Sequence, residues 1–69
     1  MSPALLNQVW KLVDTIPHHQ LLGLSDSALV DWLSQRLAER QELTHDELET
    51  VKAYIQSRLT LIRDMAVAS

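Results

Sequence analysis

Leu43-Thr44-His45-Asp46-Glu47-Leu48-Glu49 decides the fold, because it holds every part of a helix start in register. Thr44 supplies a side-chain acceptor for free backbone N–H groups, Glu47 reaches back to the Thr44 N–H, and Leu43 can staple to Leu48. Downstream, Leu48, Val51, Ile55, Leu59, Ile62 and Ala66 recur at three- and four-residue spacing, with no Gly or Pro between them. The spacing predicts one uninterrupted helix over about 45–66, roughly 30 Å long. Its first turn carries Asp46, Glu47 and Glu49, and Arg58 and Arg63 lie toward its far end, as the helix dipole favours.

Two more helices precede it. Ser25 is placed to cap a second helix over 26–40, with Leu29, Val30, Trp32, Leu33 and Leu37 on its apolar face before the pattern fades into Glu39-Arg40-Gln41-Glu42. Ser2 and Pro3 open a first helix over 3–16, whose face is Leu5, Leu6, Val9, Leu12, Val13 and Ile16. Pro17 ends it by driving the residue before it out of the helical region. The stretch from Pro17 to Gly23 leaves room for a short extra helical turn near 17–22. No segment alternates as a strand does. The expected fold is all-α: a small three-helix bundle, one domain over 1–69.

Composition narrows the function classes. A chain of 69 residues has little surface to bury, so either its helices pack economically or a partner completes the core. An apolar content of 46% with a net charge of -3 excludes intrinsic disorder. The absence of Cys excludes disulfides and thiolate metal sites. Nine acidic against six basic residues argue against direct nucleic-acid contact, which draws its affinity from clustered Lys and Arg. No basic stretch precedes an apolar run and no apolar run reaches membrane-spanning length, so a cytoplasmic protein without membrane contact is expected.

Little in the chain points to chemistry. His18, His19 and His45 are the neutral-range titrating groups; His45 and Glu49 share a helical face but lack a third ligand, so no metal is expected. Ser, His and Asp occur without a Gly-flanked nucleophile turn, so no enzyme activity is expected. Leu22-Gly23-Leu24-Ser25-Asp26-Ser27-Ala28-Leu29 resembles the Asp-Ser-Leu region of acyl carrier proteins, and the resemblance implies phosphopantetheine on Ser27. Ala28 stands where that family has leucine and the preceding helix is short for it, so no cofactor is expected. The second helix, turn and third helix resemble a helix-turn-helix in outline, but its recognition positions would be His45, Asp46, Glu47 and Glu49, setting carboxylates against phosphate.

The surface says more. At about 100° per residue, Tyr54, Leu61 and Met65 lie roughly 100 to 140° from the centre of the apolar face of the third helix, and only in its second half. With Arg58 they form the candidate partner-binding residues, because Tyr and Met are enriched at interfaces. Arg36 and Arg40 fall inside the apolar arc of the second helix; they either snorkel to water or pair with an acid such as Asp14 or Glu47. Trp10 and Trp32 sit at the margins of their faces, as core-edge or interface residues. The expected function is a non-enzymatic protein–protein interaction or self-association module, whose partner is itself, as a homodimer, or another protein. The alternative is an acidic regulator of a nucleic-acid-binding machine, acting through Glu39, Glu42, Asp46, Glu47 and Glu49.

Overall fold

Three helices begin where a side chain satisfies a free amide group. The computed structural model describes residues 2–68. Helix α1 (Pro3–Thr15) starts on Ser2, whose hydroxyl accepts from the Leu5 N–H at 3.2 Å, with Pro3 in its first turn. It ends at Ile16, extended as a residue before proline must be. Helix α2 (His18–Gly23) is the short turn foreseen near 17–22; it has no side-chain cap, and Gly23 does not take a positive φ. Helix α3 (Asp26–Arg40) starts on Ser25, whose hydroxyl accepts from the Ala28 N–H. Helix α4 (His45–Ser57) carries the complete capping box: the Glu47 N–H donates to Thr44 Oγ1 at 3.1 Å and the Thr44 N–H to Glu47 Oε1 at 3.0 Å.

The uninterrupted helix expected over 45–66 is instead two. Arg58, at φ -113° and ψ 8°, separates α4 from α5 (Leu59–Ala68). The Arg58 N–H donates to Ile55 O at 3.0 Å, one residue short of the α-helical acceptor. The Ser57 hydroxyl takes the Tyr54 carbonyl thus released, at 2.7 Å. This is a serine competing with the backbone for a helix carbonyl, a known source of helix bending. Among the described residues the fold is therefore all-α, with five helices and no strand.

Helix α3 packs against both α1 and α4, while α2 packs against α5. The core between them holds Val9, Leu29, Leu33, Leu37, Val51, Ile55 and Ile62, each at most 1% exposed. Leu59 and Ala66 bring α5 into the same core, and Leu24 and Leu43 pack at its edge. Ser34 is fully buried within α3 but satisfied, its hydroxyl donating to the Asp31 carbonyl at 3.0 Å. The radius of gyration is 11.3 Å, close to the ~11 Å of a compact chain of this length. The chain thus covers a core of its own, and a partner is not needed to complete it. No helix among the described residues is long and apolar enough to cross a membrane.

Candidate functional site

The large apolar side chains left most exposed among the described residues belong to α2 and α5. Leu61 is 50% exposed, Met65 41%, Val67 71% and Leu22 49%. Leu61 and Met65 stand four apart and share a helical face; Val67 lies on the opposite flank of the buried Leu59, Ile62 and Ala66. Thus two of the four candidate partner-binding residues form an exposed apolar step, while Leu22 and Val67 were not singled out from sequence. Leu22 follows the buried Leu21, and only the packing of α2 on α5 shows that it stays outside.

Tyr54 is not part of that bare step. It is half-buried and packs on the core, where its hydroxyl accepts from Trp10 Nε1 at 3.0 Å. The two rings meet edge to face, centroids 6.3 Å apart. Arg58 lies over the Tyr54 ring, its Cζ 5.2 Å from the ring centre, and its Nη1 donates to Ser57 Oγ at 3.4 Å. The break in the helix and the aromatic pair thus meet at one place. Trp10 and Trp32 are both partly buried against the core, at its edge. Arg36 snorkels: it is exposed, stacks on Trp32 at 5.1 Å and pairs with Glu39 at 3.4 Å. Arg40 is exposed, and among the described residues neither arginine pairs with Asp14 or Glu47.

Arg63 makes three polar contacts that tie α5 to distant parts of the chain. Nη1 donates to the Leu21 carbonyl and Nη2 to the Leu24 carbonyl, both at 2.8 Å, and Nη2 also meets Asp26 Oδ1 at 2.9 Å. A planar fork thus serves the carbonyl end of α2 and the start of α3 together. Position on the wheel gave only its place near a helix end; its acceptors lie some forty residues away in sequence.

The remaining features are scattered. An open cleft of about 680 Å³ runs between the start of α3 and α4, lined by Ser27, Asp31, Glu49 and Lys52 over Val30 and Ala53. Ser27 is an exposed residue of the first turn of α3. A second recess, of about 180 Å³, lies between Ser2 and Leu5 on one side and Asp46, Glu47 and Thr50 on the other. The acidic residues therefore divide: Glu49 faces the start of α3, Asp46 and Glu47 face α1, and Glu39 is held by Arg36. His18 and His19 are exposed on α2 and His45 at the start of α4; among the described residues no three His, Cys, Asp or Glu converge on a metal position.

No protein-family model, curated protein or solved structure matches the chain.

Proposed function

We propose that this chain is a non-enzymatic interaction module that associates with a second copy of itself through the outward face of α5. The observation that carries it is the placement of the exposed large apolar side chains on the α2 and α5 pair, with Leu61 and Met65 one turn apart. A two-fold interface repeats the same patch on both subunits. An antiparallel pairing of two α5 helices centred on Leu61 sets Arg58, three residues before it, against Asp64 of the other copy, three residues after it. Both residues are exposed, and neither has an ion-pair partner among the described residues. The face is thus self-complementary in charge as well as in apolar character. An acidic regulator of a nucleic-acid machine has weaker support, since its carboxylates lie on separate faces. Sedimentation velocity over a range of concentrations tests the proposal. The unmodified chain is expected to dimerise and Leu61→Asp and Met65→Asp to remain monomeric; a strict monomer, or variants that associate as the parent does, overturns it.

A further inference from the structure

Tyr54, Arg58, Leu61 and Met65 stand at positions i, i+4, i+7 and i+11, within roughly 60° of one another at about 100° per residue. The break at Arg58 does not scatter them, because the buried Val51, Ile55, Leu59, Ile62 and Ala66 keep one phase across it. Tyr54, at the N-terminal end of this stripe, is fixed from two directions. Trp10 on α1 donates to its hydroxyl and meets its ring edge to face, and the Arg58 guanidinium lies over the ring. A guanidinium stacked on a ring keeps its edge N–H groups available for a carboxylate. Arg58 is exposed and turns Nη1 to Ser57 Oγ, at the long distance of 3.4 Å.

In an antiparallel pairing centred on Leu61, a residue a given number of places before it faces the residue as many places after it in the second copy. Met65 of that copy therefore arrives opposite Ser57, between Tyr54, Ser57, Arg58 and Leu61. These four stand at i, i+3, i+4 and i+7, the set that receives a side chain of the facing helix when helices interlock. The Met65 thioether suits the edge of an aromatic ring. Asp64 of the same copy, one residue earlier, arrives opposite Arg58. We infer that the Tyr54–Arg58 stack is the socket of this association, taking Met65 of a second copy against the ring and Asp64 of that copy on the guanidinium. Trp10 and Arg58 hold the ring before a second copy arrives, so little side-chain freedom is lost on docking. The socket rests on the self-association proposed above and names what the exposed step of α5 enters, a seat supplied by α4 and braced by α1.

One contact measurement and two variants test it. Within one chain Tyr54 and Met65 lie eleven residues apart, roughly 16 Å along a helix, so a contact between them joins two copies. In a dimer mixed from isotope-labelled and unlabelled chains, filtered NMR should show the Met65 methyl group against the Tyr54 ring protons. Tyr54→Phe keeps the ring and should leave the dimer Kd within about twofold; Tyr54→Leu removes the ring from both sockets, each contributing a factor of about three, and should raise the Kd about tenfold. Circular dichroism checks that Tyr54→Leu keeps its helices, and if it does not, the NMR contact alone decides. A dimer without that contact, or a folded Tyr54→Leu that associates as the parent does, overturns the socket and leaves the self-association proposal standing. A parent chain that stays monomeric at every concentration overturns both.

Discussion

Replacing Arg63 by alanine removes three hydrogen bonds that tie α5 to the carbonyl end of α2 and the start of α3. The Arg63 side chain is only 23% exposed, so water replaces its two carbonyl contacts incompletely, and each is worth about 1–1.5 kcal/mol. The Asp26 side chain is 76% exposed, so the ion pair adds no more than a few tenths of a kcal/mol. The expected loss is therefore about 2–3 kcal/mol. That is a large share of the ~3–10 kcal/mol expected for a chain of this size. Urea unfolding at a concentration where the protein is monomeric measures it as a shift of midpoint at unchanged slope. Arg63→Lys keeps the charge but loses the fork, and should cost about half as much. Asp26→Asn should be nearly neutral. A loss below about 1 kcal/mol for Arg63→Ala, or an equal loss for Asp26→Asn, would refute the idea that the carbonyl contacts hold α5 in place.

Two further perturbations probe the scaffold. Thr44→Ala breaks the capping box of α4 and should lower stability by about 1 kcal/mol in the same assay, whereas Glu47→Gln, which keeps a side-chain acceptor, should cost far less; equal losses would mean that charge rather than the reciprocal bonds matters. Tyr54→Phe removes the acceptor for Trp10 Nε1 and should cost about 1 kcal/mol, and a double-mutant cycle with Trp10→Phe should return a coupling of at least ~0.5 kcal/mol. Additive losses would leave only ring packing between the two residues.

What could be read from sequence was local or periodic. The caps at Ser2, Ser25 and Thr44 are short-range bonds within one turn, and all three are made. The buried residues Val9, Leu12, Leu33, Leu37, Val51, Ile55 and Ile62 follow from helical spacing alone. The Arg58 break could not be read this way, because the buried positions Val51, Ile55, Leu59, Ile62 and Ala66 keep their phase across it and no breaker residue marks it. At the break itself a serine hydroxyl takes the Tyr54 carbonyl, and Arg63 seats α5 on carbonyls 39 and 42 residues away in sequence. Of the candidate surface, Leu61 and Met65 were legible as an apolar step beyond the buried face. Tyr54 looked equally bare on the wheel because its cover, Trp10, is 44 residues away.

Helix α2 is six residues long, has no side chain bonded to its start, and owes its packing to α5. A helix so short cannot persist in water alone. Its amides should therefore exchange with deuterium whenever α5 lifts away, the two elements opening as one cooperative unit while α1, α3 and α4 stay protected. The Arg63 fork is the latch of that unit, so loosening it would quicken exchange at Gln20 and Leu21 as much as along α5 itself.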